Sequence, residues 1–179
     1  MKSIMVKIAM GLMYVFSILL GNLFVIHYGI ISFNISQNDH VLLSLVAPAG
    51  VLWIGLTFSF RDLAQRFWGK NKIWIWMFMT TLITYYFNQN VAIASVVSFI
   101  FSESMDWIIF TVIGGDLKRR IIISNVLSAP IDSILFVSLA FGFSWEPIIG
   151  QTILKIIFSM MIIPFIPFFD RVYNHYVNN

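Results

Sequence analysis

The sequence predicts an all-α membrane protein of six transmembrane helices with both termini cytoplasmic, forming a single polytopic unit over residues 1–179. Three observations carry this reading. Hydrophobic residues make up 59% of the chain and charged ones only 11%, with a mean hydropathy of +0.88, far outside the range of soluble domains. Apolar runs alternate with polar loops along the whole length. The lysines and arginines collect at alternate ends of those runs, as they do in cytoplasmic loops.

The first helix is expected over Met5–His27, behind Lys2 and Lys7. A signal peptide has similar flanking charge, but no small-x-small cleavage site follows Leu20 and the run is long, so it reads as a retained helix. Tyr28–His40 lacks Lys and Arg and holds several turn formers. The second helix is expected over Val41–Phe60. Pro48 and Gly50 lie inside it and predict a kink, whose freed backbone groups must be satisfied within the bundle. The charged loop R-D-L-A-Q-R-F-W-G-K-N-K follows.

The third helix, Ile73–Phe87, is short for a bilayer and relies on Trp74, Trp76, Tyr85 and Tyr86 at its interfaces. An uncharged N-Q-N turn leads to the fourth, Val91–Ile113. The loop G-G-D-L-K-R-R precedes the fifth, Ile121–Phe143, which contains Asn125, Pro130 and Asp132. The sixth, Pro147–Phe169, carries Gln151 and Lys155 in its first half and Pro164 and Pro167 near its end.

Orientation follows from the basic residues. Lys2 and Lys7, then Arg61, Arg66, Lys70 and Lys72, then Lys118, Arg119 and Arg120, and finally Arg171 fall on one side of six spans, and the intervening loops have none. Six spans divide into two sets of three with opposite orientation, the plan of inverted-repeat transporters. Pro48 and Pro130 fall at similar places in the second helix of each set.

The candidate functional residues are polar groups at membrane depth. In F-I-F-S-E-S-M-D-W-I-I-F, spacings of three and four put Phe99, Glu103, Asp106 and Phe110 on one stripe, beside the small residues Ala94, Ser98 and Ser102. The fifth helix places Asn125, Ser128, Asp132 and Phe136 on one face, and the sixth places Gln151, Lys155 and Ser159 at spacing four. Each ionisable side chain at mid-membrane costs roughly 2.5 to 3.5 kcal/mol on insertion scales. One lysine cannot neutralise three acids, so the set requires a polar cavity or a protonated carboxyl.

A structural role competes for each residue. Asp132 and Lys155 suit an ion pair between the fifth and sixth helices, and Asn125 and Gln151 suit interhelical hydrogen bonds. Arg61 and Asp62 read first as a solvated helix end at the cytoplasmic mouth.

Other chemistries find no support in the sequence. There is no cysteine, so disulfides and thiolate chemistry are excluded. The histidines His27, His40 and His175 lie at the edge of the expected spans or outside them, which argues against a metal site or a histidine proton relay. Neither a phosphate-binding glycine loop nor a nucleophile with its base appears, and the chain does not read as an enzyme. No cofactor is expected.

Several stretches resemble the vitamin uptake transporter (VUT) family, which includes bacterial queuosine-precursor transporters. They are P-A-G-V-L-W-I-G-L-T-F-S-F-R-D-L-A-Q, then S-E-S-M-D, then S-N-V-L-S-A-P-I-D-S-I-L-F-V-S-L-A-F-G, and G-Q-T-I-L-K, in the family's order and spacing from about Pro48 to Pro164. Ala129 stands three residues before Asp132, where queuosine-precursor members tend to carry Gln, and R-D-L-A-Q replaces a T-D-x-x-x-E pattern.

The resemblance implies a six-helix uptake carrier of the cell (inner) membrane for deazaguanine bases. By position, Glu103, Asp106, Asn125, Asp132 and Lys155 match its recurrent intramembrane polar sites. The expected substrate-binding set is Glu103, Asp132, Asn125, Gln151, Phe99 and Phe136, with Glu103 or Asp132 on the base edge. Asp106, Lys155, Arg61 and Asp62 are expected to gate or couple, Asp106 with Lys155 in gating or proton coupling. Partners are then a small-molecule substrate and the lipid bilayer, with no nucleic acid. Three alternatives stay open at this point: a substrate-binding subunit served by a separate ATPase, a homo-oligomer, and a non-transporting scaffold whose ion pairs only fix helix packing.

Overall fold

Lys2–Tyr28 is an unbroken apolar run without proline and forms the 27-residue helix α1. Its outward face carries Ile8, Leu12, Phe16 and Ile26, while Tyr14, Ser17, Gly21 and Asn22 turn inward. Apolar outside with small and polar inside is the pattern of a helix whose outer solvent is hydrocarbon. The computed structural model describes residues 2–37, 40–87 and 92–177; the N-Q-N turn and Val91 lie outside them.

After α1 the chain departs from expectation. Gly29, at φ +61°, turns it back, and Ile30–Gln37 (β1) pairs antiparallel with His40–Pro48 (β2). The second helix, α2, starts only at Val51 and runs to Trp68. Val41–Phe60 is therefore not one kinked helix, and one two-stranded hairpin interrupts a fold that is otherwise all-α. The physical reason is Pro48. It offers no N–H to a helix and pushes the preceding residue into extended backbone, and the short apolar run before it serves equally well as a strand. Pro48 and Gly50 thus mark where a helix begins. This moves Arg61 and Asp62 from a helix end to the middle of α2.

The remaining elements are α3 (Ile73–Phe87), α4 (Ala92–Val112), α5 (Leu117–Phe141) and α6 (Trp145–Met160), then a short 3-10 turn (Ile163–Phe165) and α7 (Ile166–Tyr176). Asp116 caps α5 by accepting the Arg119 N–H at 3.3 Å. Pro130 sits inside α5 and frees a carbonyl there. Pro164 and Pro167 coincide with the break between α6 and α7.

Among the described residues, four stretches are long and apolar enough to cross a membrane: Lys2–Tyr28, Ile93–Val112, Leu117–Phe141 and Trp145–Tyr176. Ile73–Tyr86 is a shorter apolar helix. Helix α2 is the polar member, enclosed between α1, α5 and α6. The molecule is a helical, multi-pass membrane bundle with one hairpin laid against α6.

Close approach of α2 and α6 depends on Gly55. A Cβ there would lie 2.8 Å from Phe158 Cβ and 2.9 Å from the Lys155 carbonyl oxygen. Gly55→Val is expected to cost about 1–3 kcal/mol through overpacking. A clearly lower thermal midpoint in detergent would register it, and an unchanged midpoint would show that the helices are not held this close.

Candidate functional site

Helix α2 presents Arg61 to the bundle interior with no exposed surface. A guanidinium buried this deeply needs anions around it, because desolvation costs several kcal/mol per ion. The neighbouring elements supply them. Asp62 of α2 lies 3.0 Å from Arg61 Nη1, Glu103 Oε2 of α4 lies 3.2 Å from Nε, and Asp106 Oδ2 pairs with Nη2. Gln65, one turn along α2, accepts from Nη1 at 2.7 Å.

An outer ring of hydroxyls completes the cluster. Tyr14 Oη of α1 donates to Glu103 at 2.9 Å and itself accepts from Thr80 of α3 at 3.2 Å. Ser124 of α5 donates to Asp62 at 3.0 Å. Five helices thus meet at one guanidinium.

A second ionic group lies nearer the hairpin. Lys155 of α6 pairs with Asp132 Oδ2 of α5, and Ser102 of α4 donates to Asp132 Oδ1 at 3.0 Å. This pair forms part of the wall of a cavity of about 500 Å³ including its mouth. The other walls are Ile18, Asn22 and Val25 of α1, Pro48 and Val51, Thr84 of α3, Ser98 and Phe99 of α4, Phe136 of α5 and Gln151 of α6. Gln151 Oε1 is buried without a hydrogen-bond partner among the described residues. Apolar walls with a few convergent polar groups are what small-molecule sites use.

These lining residues belong to the ends of the helices that border the loops without Lys or Arg. At the opposite end a second hollow, about 780 Å³ with its open mouth, is lined by Gln65, Arg66, Lys70, Phe110, Thr111, Arg120 and Tyr173. Arg66 pairs with Asp170 at 2.7 Å, and Arg120 donates twice to the Phe110 carbonyl while lying over its ring. Gln65 Nε2 donates to Thr111 Oγ1 at 2.8 Å, which ties this hollow to the Arg61 cluster. A cavity, a buried ionic cluster and a basic hollow therefore follow one another along the bundle.

The residues singled out in the sequence separate into two groups. Asp132, Lys155, Gln151, Phe99 and Phe136 come together around the cavity. Glu103 and Asp106 are bound to Arg61 and do not line it, and Lys155 partners Asp132 rather than Asp106. Asn125 is also away from the cavity, donating to Ser59 Oγ at 3.0 Å, and Ser59 in turn donates to the Ser159 carbonyl. Arg61 and Asp62 are fully buried, which corrects the reading of a solvated helix end.

Tyr14, Asn22, Gln65, Thr111 and Ser124 were not anticipated. For Tyr14 and Asn22 the signal was present: Tyr14, Ser17, Gly21 and Asn22 recur at helical spacing within an otherwise apolar span.

Fold and site together define a polytopic membrane protein whose apolar-walled cavity carries a few convergent polar groups, an arrangement found in solute carriers. Residues 84–169 match the family model described as "Putative vitamin uptake transporter". That segment, which is similar to the vitamin uptake transporter family, carries Glu103, Asp106, Asn125, Asp132, Gln151 and Lys155. No curated protein matches the chain, and no solved structure does.

Proposed function

We propose that the chain is an uptake carrier of the cell (inner) membrane, with six spans and cytoplasmic termini, that imports a queuosine precursor, a deazaguanine base. The observation carrying this is the cavity, whose lining Gln151 and the Asp132–Lys155 pair share with Phe99 and Phe136. Positive-inside orientation puts that cavity in the outer half of the membrane and the basic hollow on the cytoplasmic side. On this reading the cavity side faces outward.

A guanine-like edge carries adjacent N–H donors beside a carbonyl. Gln151 Oε1, which lacks a partner among the described residues, meets a donor, while the Gln151 amide N–H or the Lys155 ammonium meets the carbonyl. Asp132 has both oxygens engaged, by Lys155 and by Ser102. A carboxylate offers about four lone-pair sites, so it can accept from the solute as well. Phe99 and Phe136 offer aromatic faces to a flat ring.

The test is rescue of a strain that cannot make queuosine precursors, supplied with the free base at low concentration, with queuosine measured in its tRNA. Rescue is expected. Gln151→Ala is expected to raise the base concentration required by about tenfold, the loss of one hydrogen bond to an amide edge. Rescue no better than without the protein, at normal membrane levels, would remove this substrate.

A further inference from the structure

The Arg61 cluster remains unexplained by solute binding, since none of its carboxylates lines the cavity. Two independent features point to a missing ligand. Asp62, Glu103 and Asp106 face a single guanidinium, which leaves two negative charges in excess if all three are ionised. Arg120 keeps its charge while donating to the Phe110 carbonyl and offsets part of this from near Asp62, but it pairs with none of the three carboxylates, so at least one negative charge stays in excess. Separately, Asp106 is wholly buried, and its Oδ1 has no hydrogen-bond partner among the described residues.

An inorganic cation answers poorly. Such ions take shells of about six oxygen donors, whereas here Arg61 occupies the centre and touches every carboxylate, so the ion would have to settle against a like charge. A proton needs no shell and no space.

We propose that this cluster is the carrier's coupling site and that what it binds is the proton. This rests on the carrier reading above. Binding forms one O–H bond on a carboxylate oxygen and removes one negative charge; release reverses both, with no redox step.

The surroundings give the proton a way in and out. On the cavity side Asp132 bonds Ser102, whose neighbour on α4 is Glu103, and Glu103 receives the Tyr14 hydroxyl backed by Thr80. On the other side the cluster reaches Gln65, and Gln65 reaches Thr111 in the basic hollow. Lys155 faces the cavity half through Asp132, and Ser124 supports Asp62 from α5. The cluster therefore separates two openings and adjoins both. Protonation weakens the grip of Arg61 on α4, which provides a physical route from proton occupancy to movement of α4 against α2.

Two measurements test this on purified full-length protein in liposomes. Infrared spectroscopy separates a protonated carboxyl from a carboxylate without any substrate. The wild type at neutral pH is expected to show a carboxylic-acid carbonyl band that Asp106→Asn or Glu103→Gln diminishes, with folding of each variant confirmed by its elution profile. In transport, a pH gradient of one unit, acid outside, is expected to drive about tenfold accumulation of a neutral deazaguanine base if one proton accompanies each solute. Asp106→Asn is expected to lose gradient-driven accumulation far more than exchange of base across the membrane.

A spectrum with no such band overturns the proposal, whatever the substrate. So does the band together with accumulation that ignores the pH gradient. Absence of base exchange by the wild type would instead remove the substrate reading, and the band would still decide whether the cluster holds a proton.

Discussion

Arg61→Met is expected to destabilise the bundle by about 3–5 kcal/mol, the penalty for removing one partner from a buried ionic group. The wild-type guanidinium touches Asp62, Glu103 and Asp106 and donates to Gln65, all of them buried. Methionine fills much of the volume, so the loss is electrostatic rather than a cavity effect. The measurement is the thermal midpoint in detergent together with the amount of protein reaching the membrane, and both should fall sharply.

A companion variant separates charge from packing. Adding Asp62→Asn, Glu103→Gln and Asp106→Asn to Arg61→Met removes the excess negative charge, and stability is expected to recover in large part. Transport is not, because the quadruple variant has no group left to bind the coupling ion. If the single variant were as stable as the wild type, the cluster would not be the electrostatic centre of the bundle.

How far the sequence disclosed this arrangement depends on the kind of signal. Apolar spans and the alternation of Lys and Arg are additive properties of long windows, and the apolar helices α1, α3, α4, α5 and α6 follow from them. The hairpin did not follow, because Val41–Pro48 is a short apolar run whose period does not separate strand from buried helix. That one ambiguity displaced α2 by a fraction of its length and put Arg61 at the water interface on paper.

The polar residues behaved similarly. Helical spacing correctly placed Glu103 and Asp106 on one face of α4, and the structure puts both on Arg61. Spacing carries no information about which neighbouring helix meets that face, or at what depth. Hence Glu103 looked as suitable for solute as Asp132, although only Asp132 lines the cavity. Tyr14 illustrates the reverse case. A lone tyrosine in a long apolar helix looks like an ordinary core residue until Glu103 is found 2.9 Å away.

Replacing Asp132 and Lys155 together, as Asp132→Leu with Lys155→Met, is expected to leave stability near the wild-type value or above it while reducing uptake at least about a hundredfold. The stability half follows because two ions no longer need desolvation, and buried pairs exchanged for apolar side chains of similar volume are often neutral or favourable. Ser102, which donates to Asp132, can turn its hydroxyl to the Phe99 carbonyl at 3.2 Å, so it is not left unpaired. The uptake half follows because the cavity would keep its aromatic faces and Gln151 but lose both charged groups. Losing two charge-assisted hydrogen bonds to the solute amounts to about 3 kcal/mol or more, a factor of a hundred or above.

Lys155→Met alone separates the two effects. It leaves Asp132 charged beside an open cavity, so it is expected to lower both stability and uptake. A scaffold held by an ion pair predicts the opposite ranking, with the double variant the least impaired in function. Thermal midpoints and initial uptake rates for the three proteins therefore distinguish a carrier from a scaffold through the order of their effects. Preserved uptake in the double variant would place the solute elsewhere than in the cavity between α1 and α6.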